Sequence, residues 1–113
     1  MFNFFNKKQA GYGSAQPLEV SQKLEKDKPL VIDVREPSEY AQGHIKGSKL
    51  IPLGQLPGRL AELGGKDREI ITVCRSGGRS GQAATLLVAQ GYTVTNMQGG
   101  MMGWQQAGLP VQK

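Results

Sequence analysis

The sequence predicts an α/β domain of three layers, a mainly parallel β-sheet with helices on both faces. Three observations lead there. Runs of β-branched and apolar residues alternate along the chain with segments of helical pattern, the order produced by repeated strand–helix units. The strand-like runs are nearly continuous in apolar residues, as strands buried on both faces are. The length, 113 residues, fits one domain able to bury a core without metals or disulfides.

The first helical segment, "QPLEVSQKLEKD" from Gln16 to Asp27, places Pro17 where a helix tolerates a missing N–H, in its first turn. "LVIDV", Leu30–Val34, reads as a strand. "EPSEYAQGH", Glu36–His44, again offers a proline, Pro37, to start a helix. "KLIPL", Lys49–Leu53, is the second strand-like run. "LPGRLAELGG", Leu56–Gly65, is expected to be a helix that begins near Pro57 and stops at its glycine pair. "EIITV", Glu69–Val73, is the third strand, and "GRSGQAATLLVAQG", Gly78–Gly91, is the strongest helix. Ala83, Ala84, Leu87 and Val88 give that helix one apolar face, and Gly91 closes it. "YTVTNM", Tyr92–Met97, is the fourth strand. In "GGMMGWQQAGLP", Trp104 is assigned to the core, with Met101 and Met102 as gap-fillers or pocket lining.

Residues 1–12 are read as a flexible N-terminal tail and residues 13–113 as the folded domain. The stretch "MFNFFNKKQAGYGSA" places aromatic residues before its lysines, the reverse of a signal peptide, and its apolar run is too short to span a bilayer. Phe2, Phe4 and Phe5 are the residues that a membrane-surface contact would use. Packing against the domain is the other fate open to them.

With 38% hydrophobic and 20% charged residues, the composition is that of an ordinary globular domain rather than a disordered chain. The net charge of +5 favours anionic partners. Lys23, Lys26 and Lys28 are nevertheless interleaved with Glu25 and Asp27, and basic residues do not alternate with aromatic ones, so a nucleic-acid partner is not expected. The single cysteine excludes an intramolecular disulfide, and no His/Cys cluster offers a zinc site. A reducing compartment, the cytoplasm, is the expected location.

That cysteine, Cys74, follows the third strand and opens the stretch "CRSGGRS". Ligands in parallel α/β folds bind beyond the carboxyl ends of strands, which is where Cys74 falls. A lone cysteine at a strand end is commonly a packing residue. The residues after it carry a different signal. Gly77 and Gly78 free the backbone to wrap its N–H groups around an anion, Ser76 and Ser80 add hydroxyls, and Arg75 and Arg79 add charge. Such surroundings, with a helix starting next, bring thiols from about 8.5 to about 3.5–7.5, which makes Cys74 a candidate nucleophile. Asp33 and Arg35 in "IDVRE" either orient groups near this loop or pair with each other. His44, the only histidine, is either a general base for Cys74 or a residue that stabilises its own turn.

The segments "VIDVREPSEYAQGHIKGSKLIPL", "CRSGGRS" and "NMQGGMMGWQQAGLPV" together resemble the rhodanese family of single-domain sulfurtransferases in order and spacing, from about Pro17 to Val111. The resemblance implies a rhodanese-like α/β/α fold with a five-stranded sheet and a short first strand near Tyr12–Ala15. It implies that Cys74 takes a sulfane sulfur from thiosulfate or another persulfide donor and passes it to cyanide, a thiol or a protein. The loop from Arg75 to Ser80 would cradle the persulfide, with no metal or redox cofactor required. Thiosulfate-specialised members often carry two cations directly after the cysteine, whereas here Arg75 is followed by neutral Ser76. Two other readings stand beside this one. A non-catalytic or sulfur-carrier interaction module would keep the fold and work through a protein partner. A cysteine phosphatase or arsenate reductase would use a C-x5-R loop, but Arg79 gives C-x4-R, one residue shorter.

Overall fold

The structure, a computed structural model, describes residues 11–113. The expected tail and its three phenylalanines therefore lie outside the described residues, except for Gly11 and Tyr12. In chain order the elements are β1 (Gly13–Ala15), α1 (Pro17–Lys26), β2 (Leu30–Asp33), α2 (Pro37–Ala41) and β3 (Lys49–Leu50). Two 3-10 turns follow, Leu53–Gly58 and Leu60–Leu63, then β4 (Ile70–Val73), α3 (Gly78–Ala89), β5 (Val94–Met97) and α4 (Gly100–Gln106). Pro17 and Pro37 do occupy the first helical positions. At each start the preceding residue's N–H is taken by a glutamate inside the first turn: Gln16 by Glu19 at 2.8 Å and Glu36 by Glu39 at 2.9 Å.

Local chemistry overrides the sequence reading at three places. The helix expected over Leu56–Gly65 is instead the pair of 3-10 turns, because Pro57 cannot donate to a helical ladder and Gly58 follows it. Leu56 and Leu63 still reach the core. The strand expected over Lys49–Leu53 is registered with β2 only at Lys49 and Leu50, since Pro52 has no N–H to give, although Ile51 and Leu53 still donate to the carbonyls of Asp33 and Val34. The third difference is α4, a helix not anticipated in the glycine-rich "GGMMGWQQ" stretch.

All five strands are parallel, in the order β1-β5-β4-β2-β3. The chain winds from β2 outward to β3 on one side and from β4 outward to β5 on the other. The winding therefore reverses between β2 and β4, the position at which such sheets leave a crevice at their carboxyl ends. Alternating residues of each strand serve opposite faces. Ile32, Val34, Ile70 and Val94 pack with Leu56 and Leu87 under α3 and the 3-10 turns. Val31, Ile71, Val73 and Met97 pack with Val20 and Trp104 of α1 and α4. These are the three layers.

One charged pair interrupts the second face. Asp33 and Arg35 are both buried, and Arg35 donates from Nε to Oδ1 at 2.9 Å and from Nη2 to Oδ2 at 2.7 Å. A further bond from Nη2 reaches the Gly43 carbonyl at 2.9 Å, so the pair ties the end of β2 to the segment after α2. Removing one partner leaves a buried guanidinium uncompensated. Asp33→Ala is expected to cost about 3–5 kcal/mol, read as a lower urea midpoint with an unchanged denaturant slope.

Candidate active site

β4 ends at Val73, so Cys74 emerges from the central strand between the carboxyl ends of β2 and β5. Alternation along β4 turns its side chain to the face of Ile70, toward α3, and the residue is 1% exposed. The chain then bends into α3 through Gly77, whose φ of 114° lies in a region that favours glycine. This bend returns the backbone over the sulfur. The Gly77 N–H donates to Cys74 Sγ at 3.0 Å and the fully buried Ser80 hydroxyl does so at 3.3 Å.

The inward direction of the loop amides is imposed from α4. The carbonyls of Cys74 and Arg75 accept hydrogen bonds from the N–H groups of Met101 and Met102, at 2.8 and 3.0 Å. A trans peptide points its N–H opposite to its carbonyl. Tying those two carbonyls to α4 therefore turns the N–H groups of Arg75 and Ser76 away from α4. Only glycine fits at the start of that helix: Gly100 has φ +57°, and a Cβ there would overlap the carbonyl of Arg75.

These contacts set the electrostatics of the sulfur. Burial by itself pushes the Cys74 thiol up. The Ser80 hydroxyl and the N–H groups of Ser80, Gly77 and Ser76 outweigh it and hold the thiol below its ordinary value. These donors thus lower the thiol of a buried cysteine, a shift opposite to the one that a purely apolar packing site gives.

The remaining candidates divide by where their charges go. Arg79 is committed to α2: its two terminal nitrogens each meet a Glu39 carboxylate oxygen at 2.8 Å. The hydrogen bond from Arg79 is the main reason that the Glu39 carboxyl falls to about 2. Arg35 is committed to Asp33, as described above. Arg75 is exposed, and among the described residues no carboxylate pairs with it. It borders a cleft of about 260 Å³ together with Arg35, Glu39, Gln42, Met101 and Met102. Ser76 and Gly78 are exposed on the loop. His44 binds the Tyr40 carbonyl through Nδ1 at 2.9 Å and stacks on the Tyr40 ring at 3.7 Å, and none of its hydrogen bonds reaches Cys74. A second cleft of about 340 Å³, between β1 and α1, shares no residue with the loop.

Three residues that contact the loop or its anchors were not tied to it by the sequence reading. Gly100 and Glu39 are two of them. The third is Asn96, whose amide donates to the Gly77 carbonyl at 3.3 Å. The glycine pair before "MMGW" was the available signal for Gly100, while Glu39 and Asn96 carry none without the topology.

Fold and loop together define an α/β domain that sets a cysteine, met by hydrogen-bond donors, at the crevice of a parallel sheet. The chain belongs to the family of rhodanese-like domains, whose family model matches residues 16–107. A sulfurtransferase of Allochromatium vinosum is 43% identical over 73% of this chain and 77% of its own length. A thiosulfate sulfurtransferase of Pseudoalteromonas translucida is 37% identical over 82% of this chain and 86% of its own. The crystal structure of a rhodanese-related protein from Thermoplasma volcanium, 30% identical, superposes with a TM-score of 0.83 over 89% of this chain and 98% of that one.

Gly100→Ala tests the grip of α4 on the loop. The added methyl group must displace the Arg75 carbonyl, which rotates the Ser76 N–H away from the sulfur. The Cys74 thiol is expected to rise, so less thiolate is present at neutral pH. Iodoacetamide alkylation followed against pH is expected to shift to higher pH, and an unshifted profile would mean that α4 does not orient the loop amides.

Proposed function

We propose that this protein is a sulfurtransferase in which Cys74 carries the sulfur in transit as a persulfide. The observation that carries the reading is the convergence of the Gly77 N–H and the Ser80 hydroxyl on Cys74 Sγ. A sulfur nucleophile must also leave well, and a hydrogen-bonded thiolate does both. In the first half-reaction the Cys74 thiolate forms a bond to the sulfane sulfur of thiosulfate or a persulfide donor. The donor's sulfur–sulfur bond breaks, and sulfite or a thiolate leaves with the electron pair. In the second half-reaction an acceptor nucleophile, cyanide, a thiol or a protein, forms a bond to the outer sulfur. The Cys74 sulfur leaves with the electron pair and the thiolate is regenerated. No net electrons enter or leave, so this chemistry needs no redox cofactor.

Loop length and arginine placement favour a single sulfur over a phosphoryl group. The loop is C-x4-R, and the fork of Arg79 is occupied by Glu39 rather than held out for a tetrahedral oxyanion. Arg75 is the cation available to an anionic donor at the cleft. A reducing compartment, the cytoplasm, suits a protein whose one cysteine must cycle between thiolate and persulfide.

Incubation with thiosulfate is expected to add one sulfur to the intact mass, removable by dithiothreitol and absent in Cys74→Ser. Failure of several donors to add sulfur, while Cys74 still alkylates readily, would overturn the reading. Arg75→Ala is expected to lower the second-order rate constant with thiosulfate by about ten- to a hundredfold, the loss of one charge-assisted contact. Reactivity toward an uncharged persulfide donor is expected to change much less. Equal losses for both donors, after correction for any change in the thiol, would show that Arg75 supports the loop instead of reading the donor's charge.

A further inference from the structure

Behind the cysteine loop, the strand residues buried on the sheet face under α3 are apolar except for two neighbours. Thr72 and Asn96 are register partners on β4 and β5, and both are buried. Polar groups in such a place cost stability unless they are hydrogen-bonded, and valine and leucine would fill the same space. Each of the two has a partner. The Thr72 hydroxyl donates to Asn96 Oδ1 at 3.3 Å, which leaves Nδ2 to donate to the Gly77 carbonyl at 3.3 Å. Thr72 thereby sets which way the Asn96 amide faces.

The carbonyl that Asn96 holds belongs to the Gly77–Gly78 peptide. With no Cβ on either side, that peptide is the least restrained in the loop and can flip at little steric cost. Rotation of that peptide would move Gly77, whose own N–H donates to Cys74 Sγ at 3.0 Å, out of the position that its carbonyl fixes. Two hydrogen bonds oppose it, one from the Gly81 N–H at 3.1 Å and one from Asn96. Gly81 lies close above: a Cβ there would stand 3.6 Å from Asn96 Nδ2 and 3.3 Å from the Tyr12 hydroxyl.

We propose that Asn96, aimed by Thr72, is a positioning residue for sulfur transfer, holding the Gly77 carbonyl so that the Gly77 N–H stays on the sulfur of Cys74. It rests on the sulfur-transfer reading for its consequence, but the lock acts on the thiolate as well as on the persulfide. Neither residue touches the sulfur being moved. The charged groups around the loop, Arg75, Arg79 and the Glu39 that pairs with Arg79, are untouched by substitution here, so a change in Cys74 would report the peptide and not a lost charge.

The test uses Asn96→Leu, Thr72→Val and Thr72→Ser in the full chain. Thr72→Val keeps the shape and loses the hydroxyl, whereas Thr72→Ser keeps the hydroxyl. Urea unfolding establishes that each variant is folded. Iodoacetamide alkylation against pH then reads the thiol, and single-turnover persulfide formation from thiosulfate reads transfer. Asn96→Leu is expected to move the alkylation profile to higher pH and to slow persulfide formation about tenfold. Thr72→Val is expected to change both in the same direction by a smaller factor, and Thr72→Ser to restore them. If Asn96→Leu does not fold, the valine and serine pair still decides. Folded Asn96→Leu or Thr72→Val protein with an unshifted profile would overturn the proposal. If the unsubstituted protein accepts no sulfur from any donor, the sulfur-transfer reading fails by itself, and the alkylation profile still shows whether Asn96 holds the peptide.

Discussion

The whole site depends on where two carbonyl groups point. The oxygens of Cys74 and Arg75 are held by the first N–H groups of α4, and the planarity of the peptide then leaves the Arg75 and Ser76 N–H groups facing away from that helix. The helix can approach that closely because Gly100 has no side chain. Burial in an apolar layer by itself pushes a thiol up. Here the opposite sign results, because the donors reaching the sulfur from Ser76, Gly77 and Ser80 outweigh the cost of burial. The parallel sheet serves this arrangement by ending β4 beside β5, which delivers α4 to the back of the loop.

Much of this was legible in the sequence, and the illegible part has a common cause. The four apolar runs locate strands because a buried parallel strand leaves a local signature, and Pro17 and Pro37 mark helix starts because proline is tolerated at few other helical positions. Cys74 and its glycines could be picked out for the same reason, since composition alone shows that "CRSGGRS" cannot pack a core. Reading failed where local and distant demands conflict. Around Pro57 the apolar spacing of a helix survives as buried Leu56 and Leu63, yet the backbone follows the proline. At α4, Gly100, of a residue type that weakens a helix, is required by the carbonyl of Arg75, some 25 residues earlier in the chain. Asn96 and Glu39 were invisible because their meaning lies entirely in what the sheet and α2 bring beside them.

The three arginines near the cleft show how little of a charge count reaches a ligand. Arg35 is neutralised in the interior by Asp33, and Arg79 is spent joining α3 to α2 through Glu39. Arg75 borders the cleft with no carboxylate paired to it among the described residues. In the sequence, Arg75 and Arg79 both add charge to the loop, while Arg35 either orients groups near it or pairs with Asp33. The fold assigns Arg35 to holding the end of β2, Arg79 to bracing α3 against α2 and Arg75 to the solvent side of the cleft.

Most of the groups that face the sulfur belong to the main chain. Ser76 and Gly78 are exposed, and their side-chain positions can be exchanged without erasing the N–H groups that define the cradle. The donors that face the sulfur and the exposed side chains are thus carried by different parts of the same short loop. A lineage can redraw the rim, swapping a hydroxyl for a cation or a methyl, while the sulfur continues to sit in the same ring of dipoles. Divergence in this fold is accordingly free to alter what the cysteine meets without altering what the cysteine is.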